Sequence, residues 1–172
     1  GSSGWQSTRG YVVRGDDGQA ELLRGVVFDV SARRKAQDAL KMPVQVLEHM
    51  SEGVSLTDQS GIILYTNPAE DQMFGYARGE LLGQPLGVQS SGSASEAERL
   101  EQSIAAALQS RGEWLGEVSN QRKDGSKLTT RSRITALELD GKPHRLCVQQ
   151  DVTEDVIARE RERHLSQSLR ES

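Results

Sequence analysis

The sequence of 172 residues is 35% hydrophobic and 27% charged, with a formal net charge of −4. This composition is typical of a soluble chain with one core, and the interspersed charges argue against nucleic acid and a membrane surface as partners. The longest apolar runs, such as GIIL at 61–64, are far shorter than the roughly 20 residues of a membrane-spanning helix. Cys147 stands alone, which excludes an intrachain disulfide and favours a reducing, cytoplasmic location.

The first part of the chain reads as a hairpin followed by helices. Residues 5–30 contain two stretches rich in β-branched residues around the turn GDDGQ, which predict two strands. The stretch SARRKAQDALK at 31–41 predicts a helix that is capped by Ser31. Pro43 interrupts this pattern and fits the first turn of a second short helix.

The remainder of the chain predicts an α+β domain. The hairpin of GVSLTD and IILYTN is followed by helical turns that close at Gly75 and Gly83, and by a helix over 96–110. Three strands come next, joined by DG turns, and a charged helix ends the chain. This order favours one antiparallel sheet with helices on one face, flanked by N-terminal and C-terminal linker helices.

Two similar strand endings, GVVFDV at 25–30 and CVQQDV at 147–152, each precede a predicted helix. Their aspartates, Asp29 and Asp151, lie about 120 residues apart, which is the size of one modest domain. We therefore interpret the chain as a piece of a tandem array. Its predicted parts are the last strands of a truncated first copy (1–30), a linker helix (31–42), a complete second copy (43–152) and a C-terminal signalling helix (153–172).

Three stretches resemble a PAS domain of the bacterial sensor type. They are GVSLTDQSGIILYTNPAEDQMFGYARGELLGQ at 53–84, RKDGSKL at 122–128 and VQQDVTE at 148–154. The resemblance implies a five-stranded antiparallel sheet, with a cavity between the sheet and the helices. It also implies a sensor or dimerisation module of a multidomain signalling protein, whose flanking helices connect PAS repeats to one another and to an output domain.

Strand alternation divides the side chains of the last three strands between two faces. The family places Asn120 and Gln149 inward, and the period of two then places four other side chains beside them. The predicted ligand-binding set is Trp114, Asn120, Thr130, Ser132, Cys147 and Gln149. An unpaired buried polar group costs about 1–3 kcal/mol, so either a ligand supplies the partners or the groups satisfy one another. Trp114 fits a core plug or a stacking platform equally well.

The cofactor is left unknown by the sequence, although some classes are disfavoured. The flavin-binding LOV branch of the family carries a reactive Cys in GxNCRFLQ, and here Leu86 of GQPLGVQS stands at that position, which excludes a cysteinyl-flavin photoadduct. Asn120 and Gln149 match that branch's flavin-contacting amides, but Thr130 replaces the second Asn, so a noncovalent flavin stays an alternative. The helix over 96–110 contains no His where haem-binding relatives place a ligand, and the sequence shows no Cys or His pair with metal spacing.

Two further sets of residues are predicted to carry signal relay and association. Asp151 and Thr153 would join the last strand to the exit helix, with Thr153 as a helix cap and Asp151 as a charge at the positive end of the helix. The outer sheet face presents an apolar patch that needs a cover, and a homodimer would supply it. The predicted dimer interface comprises Leu115, Leu137, Leu146 and Val148.

The function predicted from these observations is a sensory PAS module of a signal-transduction protein. It would bind a small ligand or cofactor and relay the change through its C-terminal helix to an output domain. A ligand-free dimerisation or spacer module is the alternative, and a noncovalent flavin redox sensor is a third interpretation. The sequence shows no catalytic triad, carboxylate pair or phosphate loop, so this chain is predicted not to be an enzyme, whereas the parent could carry a histidine kinase or nucleotide cyclase.

Overall fold

The structure, a computed structural model, describes residues 6–14, 16, 18–29 and 31–171. It forms two compact units, divided between Val46 and Leu47. In the first unit, strands β1 (Gln6–Arg14) and β2 (Ala20–Asp29) pair antiparallel as a two-stranded sheet. Residues 5, 15, 17 and 30 of the predicted hairpin lie outside the described residues. The origin of this hairpin as a truncated PAS copy stays a prediction.

Helix α1 (Ser31–His49) runs for 19 residues with Pro43 inside it. The predicted start of a new helix at Pro43 is therefore wrong. Proline removes one internal hydrogen bond, but strong helix formers such as Ala39, Lys41 and Met42 precede it and favour continuation of the helix. The domain boundaries placed at 31, 43 and 153 stay predictions.

The second unit contains the predicted five-stranded antiparallel sheet, whose strand order is β4-β3-β7-β6-β5. This result confirms the predicted α+β fold. The two ends of the unit meet at the centre of the sheet, because β3 and β7 pair directly. The strands are β3 (Gly53–Asp58), β4 (Ile63–Thr66), β5 (Glu113–Gln121), β6 (Lys127–Leu139) and β7 (Lys142–Asp151).

Three helices accompany this sheet: α2 (Pro68–Phe74), α3 (Ala94–Arg111) and α4 (Thr153–Glu171). Asn67 caps α2, and Gly75 ends it with a φ of 77° that glycine adopts without strain. A capping box of Ser93 and Glu96 begins α3. The predicted helical turn that closes at Gly83 forms hydrogen-bonded turns rather than a helix.

The core lies between the inner face of the sheet and helices α2 and α3. Phe74 of α2 is 1% exposed, and Ile63 and Leu128 from the sheet are 0% exposed. A second cluster forms where Ile104 and Ala107 of α3 pack against Trp114 of β5. The inner face of β5 to β7 is therefore enclosed by helices, and this arrangement positions the candidate site.

Candidate functional site

Trp114 fills the space between β5 and α3. Its side chain is 7% exposed, and its indole Nε1 donates to Ser103 Oγ of α3 at 3.1 Å. The ring lies over Gly116, where an added Cβ would come within 2.4 Å of the ring. A side chain at residue 116 would therefore displace the indole. Trp114 acts as a core plug in this structure.

The predicted polar residues form one connected chain of hydrogen bonds. Asn120 Nδ2 donates to Thr130 Oγ1 at 2.9 Å, and the hydroxyls of Thr130 and Ser132 lie 2.9 Å apart. Ser132 Oγ donates to Gln149 Oε1 at 3.2 Å. Three strands thus contribute to one network on the inner face, as the alternation pattern predicted.

This chain of hydrogen bonds ends at Glu70, a residue of α2 that is 0% exposed. Gln149 Nε2 donates to both carboxylate oxygens, at 2.8 and 2.9 Å, and Gln89 Nε2 donates to Oε1 at 3.1 Å. The carboxylate also lies over Gly53 of β3, where an added Cβ would come within 2.3 Å of Oε2. We call this network the polar chain; its members are Asn120, Thr130, Ser132, Gln149, Glu70 and Gln89.

Burial sets the protonation behaviour of Glu70. Desolvation raises the pKa of its carboxyl above the usual value, and the nearby charge of Asp71 raises the pKa further. The hydrogen bonds from Gln149 and Gln89 lower the pKa, but their effect is smaller than that of desolvation. Both amide partners are neutral, so no positive charge offsets the cost of ionisation through these bonds. The pKa of Glu70 is consequently higher in the folded protein than that of an exposed glutamate, so its neutral form persists to a higher pH.

Cys147 lies on the inner face, opposite Ser55 of β3 and Ile134 of β6. Burial raises the pKa of its thiol to about 12, and the nearby Glu70 charge adds to this effect. The thiol is therefore protonated and unreactive at neutral pH. Ser55 is 1% exposed, and its hydroxyl has no hydrogen-bond partner among the residues that the structure describes.

Sequence reasoning missed Glu70, Gln89 and Ser55. Glu70 follows Asn67 by three residues, and an acid there usually indicates the exposed first turn of a helix. Gln89 belongs to the short 3₁₀ turn Leu86–Gln89, where periodicity gives no guide to burial. The signal for Ser55 is strand alternation, which from Gly53 along β3 places its side chain on the inner face.

The junction between β7 and α4 is held by side-chain bonds. Asp151 Oδ1 accepts from the Thr153 backbone N–H at 2.9 Å and from its hydroxyl at 2.5 Å. Thr153 Oγ1 accepts from the Thr129 N–H of β6 at 3.0 Å, so the predicted cap bonds to the sheet rather than to its own helix. Arg122 pairs with Asp151 at 2.7 Å and donates to the Met73 carbonyl of α2 at 3.0 Å.

The outer sheet face carries the predicted dimer residues. Leu137, Leu146 and Val148 are half-buried, whereas Leu115 is 59% exposed. Leu115 stands between two glutamates that pair with arginines of β6, so this end of the face is charged. The pairs are Glu113–Arg133 at 2.8 Å and Glu117–Arg131 at 3.3 Å.

A surface groove of about 670 Å³ lies between the end of α1, helix α2 and the end of β7. Its lining includes Met50, Met73 and Asp151, but none of the six predicted ligand-binding residues. Within the described ranges, no three His, Cys, Asp or Glu side chains are placed to hold a metal ion. None of the described helices combines the length and the hydropathy that crossing a bilayer requires.

The residues fit a flavin only in part. Asn120 and Gln149, which match flavin-contacting amides of the LOV branch, are bonded here to Thr130 and Glu70. A flavin would have to replace these bonds, and Thr130 supplies a hydroxyl where that branch has a second amide.

The comparisons with known proteins agree with the fold. The chain is 34% identical over 111 residues to the nitrogen fixation regulatory protein of Klebsiella oxytoca, a match that covers 63% of this chain and 22% of that protein. The chain therefore spans only part of this relative. The PAS domain of a Colwellia psychrerythraea protein is 22% identical with a TM-score of 0.62, and the match covers 68% of this chain and 99% of that structure.

A second solved structure shows the same fold. The PAS domain of nitrogen regulation protein NR(II) from Vibrio parahaemolyticus is 20% identical with a TM-score of 0.54, over 64% of this chain and 97% of that structure. The sequence model of the PAS domain matches residues 51–154, which is more than half of the chain. This chain belongs to the PAS domain family.

Proposed function

We propose that this chain is a sensory PAS module of a multidomain signal-transduction protein. A small ligand or cofactor would enter the interior and exchange hydrogen bonds with the polar chain. The change would then be relayed through α4 to an output domain. The regulatory names of the Klebsiella and Vibrio relatives support the signalling role.

One observation carries the proposal: the polar chain connects β5, β6 and α2 to β7, the strand from which α4 departs. Gln149 bonds to Ser132 and to Glu70, and it lies two residues before Asp151 on β7. A ligand that competes for the Gln149 amide would therefore act on the strand that ends at the α4 junction. Differential contacts of this kind are what a ligand needs to shift a conformational equilibrium.

A ligand-free dimerisation or spacer module is the second candidate. The observation that favours it is that the side chains of the polar chain already satisfy one another, and that Trp114 fills the space beside them. In that case the interior is a polar core, and the module acts through its helices and its outer face alone.

The absorbance spectrum and the native mass of the purified protein separate the two candidates. A sensor is expected to show an added mass or a cofactor band, which Gln149→Leu loses and Gln150→Leu keeps. The two glutamines are neighbours on β7, but Gln149 is 6% exposed and Gln150 is exposed, so the second variant is a matched control. A bare polypeptide mass and no absorbance band above the protein's own would support the spacer.

The relay proposal predicts a defect for Thr153→Ala. The variant loses the two bonds of the hydroxyl, to the Thr129 N–H and to Asp151, and keeps the backbone bond to Asp151, so we expect it to lose about 1 kcal/mol of unfolding free energy. Hydrogen exchange in the first turn of α4 should accelerate, while the inner strands keep their protection. Thr153→Ser retains the hydroxyl and should behave like the wild type. Unchanged exchange in Thr153→Ala would remove Thr153 from the relay.

We also propose a homodimer through the outer sheet face. Leu146 pairs with Leu56 of β3 and Thr135 of β6, so an introduced acid there meets no directly opposed cation. Val148 is a poorer place for such an acid, because Arg133 stands opposite it.

Leu146→Asp is expected to weaken this dimer at least about 100-fold, because a buried unpaired charge costs several kcal/mol. Sedimentation equilibrium measures the change, and far-UV circular dichroism confirms that the variant folds. Leu115→Asp is the comparison at the charged end of the face. A wild type that is monomeric at high micromolar concentration would end the dimer proposal, and a dimeric Leu146→Asp would move the interface elsewhere.

A further inference from the structure

Arg78, in the loop after α2, joins three parts of the second unit. Its Nη1 donates to the Thr66 carbonyl at the end of β4 and to Asp71 Oδ2 of α2, the latter at 3.1 Å. Its Nη2 pairs with Glu48 Oε1, in the last turn of α1, at 2.6 Å. We call Arg78, Glu48, Asp71 and Thr66 the Arg78 cluster.

The inner half of this cluster is fixed by burial. The side chain of Asp71 is 4% exposed, and its other oxygen accepts from Thr66 Oγ1 at 2.7 Å. Arg78 is the cation that pairs with Asp71 in the part of the chain that the structure describes. Removing this cation would leave a buried carboxylate without a countercharge, so the Arg78–Asp71 pair must persist in the folded domain.

The outer half can open at little cost. The Glu48 side chain is 35% exposed and the Arg78 side chain 49%, and exposed pairs of this kind contribute little to stability. Glu48 also carries a negative charge in the last turn of a helix, where the helix dipole disfavours it. Helix stability therefore does not explain an acid at residue 48, whereas the bond to Arg78 does.

The same turn of α1 has a second attachment to the domain. Asn67 is 0% exposed, and its Nδ2 donates to the Leu47 carbonyl at 3.0 Å. Its Oδ1 accepts from the Glu70 N–H at 3.0 Å. The last turn of α1 is thus tied to the two ends of α2, through one part-buried bond to its cap Asn67 and through one exposed ion pair to Arg78, which follows the helix. Glu70 and Asp71, the α2 residues at these attachments, are adjacent in sequence.

We infer that Arg78 is a positioning residue through which this domain holds the last turn of its incoming helix and couples that turn to α4. Displacement of Glu48 would act on Asp71 and its neighbour Glu70, and Glu70 bonds to Gln149 of β7, two residues before the α4 junction. This inference goes beyond the proposed ligand response, because it requires no bound molecule. Under this inference, displacement of the last turn of α1 is itself a signal that the domain passes to α4.

Glu48→Gln in the full 172-residue chain tests the inference by hydrogen-exchange mass spectrometry. The variant weakens the outer pair and leaves Arg78–Asp71 intact. We expect hydrogen exchange about threefold faster over 45–53, because an exposed ion pair contributes only a small stabilisation that the variant loses. Over 152–158 we expect a smaller acceleration. Strands β5 and β6 should be unchanged.

Asp38→Asn is the matched control, because Asp38 pairs with Lys41 at 2.8 Å within α1 itself. It should leave both segments at the wild-type rate. Sodium chloride at about 1 M should reduce the difference between the wild type and Glu48→Gln, since salt screens the exposed pair. Unchanged exchange over 45–53 would overturn the attachment, and acceleration confined to 45–53 would overturn the coupling to α4.

Discussion

Replacing Trp114 with alanine is expected to lower the free energy of unfolding by about 3–5 kcal/mol. The indole is 7% exposed, packs on Ile104 and Ala107 of α3 and donates to Ser103. Its removal leaves a cavity between β5 and α3, and the surrounding side chains can collapse into it only in part. Urea titration followed by circular dichroism measures the loss.

Indole added to Trp114→Ala should restore part of the lost stability, because apolar cavities of this kind bind small aromatic molecules. Leu128→Ala is the control: Leu128 is 0% exposed on the same sheet face, and its loss costs about 2–5 kcal/mol without leaving an indole-shaped space. Rescue of Trp114→Ala alone would show that the interior admits a ligand once the plug is absent. Equal rescue of both variants, or a cost below about 1 kcal/mol for Trp114→Ala, would contradict the plug.

Part of the inner face of the sheet could be predicted from the sequence because strand alternation is strict. The resemblance to PAS domains placed Asn120 and Gln149 inward, and the period of two then placed Thr130 and Ser132 beside them. The structure connects these four side chains through hydrogen bonds. The resemblance to PAS domains also supplied the single five-stranded sheet, whereas the strand order comes from the structure.

The end point of that network could not be predicted in the same way. Glu70 and Gln89 lie in a helix of seven residues and in a 3₁₀ turn of four, which are too short for a periodic signal. Whether they face the sheet depends on how these segments pack, which is a tertiary property. For the same reason the Thr153 hydroxyl was expected on its own helix, although it bonds to the Thr129 N–H of the neighbouring strand.

Under the proposed sensory function, the buried acid at the end of the polar chain would make the interior sensitive to a bound ligand. Among the described residues, the side chains that donate hydrogen bonds to the Glu70 carboxylate are the neutral amides of Gln149 and Gln89. A ligand that brought a positive charge, or removed an amide, would change the energy of the carboxylate. In the proposed sensor, the bond to Gln149 would transfer that change to β7.

Glu70→Gln is expected to gain stability relative to the wild type as the pH rises from about 4.5 toward 8. The pKa of Glu70 is raised by burial above the value of 4.5 that applies to the exposed side chain. The wild type is therefore fully stabilised by neutral Glu70 below pH 4.5 and loses that stability as the pH rises through the folded pKa. The variant has no carboxyl there to ionise.

The difference in unfolding free energy between the two proteins should grow by up to about 1.4 kcal/mol per pH unit between the unfolded and folded pKa values of Glu70, and then level off. Asp71 and Cys147, the titratable neighbours of Glu70, are present in both proteins, so their direct contributions largely cancel. Urea titrations at a series of pH values provide the measurement.

Glu80→Gln supplies a control with the opposite sign. Hydrogen bonds from Lys123 and from the Ala77 N–H lower the pKa of the exposed Glu80 carboxyl. Its contribution to stability is present above the unfolded pKa of 4.5 and disappears as the pH falls through the lower folded pKa. The stability of Glu80→Gln relative to the wild type should therefore decrease as the pH rises toward 4.5 and stay constant above it. A flat difference for Glu70→Gln across this range would mean that Glu70 titrates like an exposed acid. Either the hydrogen bonds from Gln149 and Gln89 would then offset the whole cost of burying the carboxylate, or water would reach the polar chain.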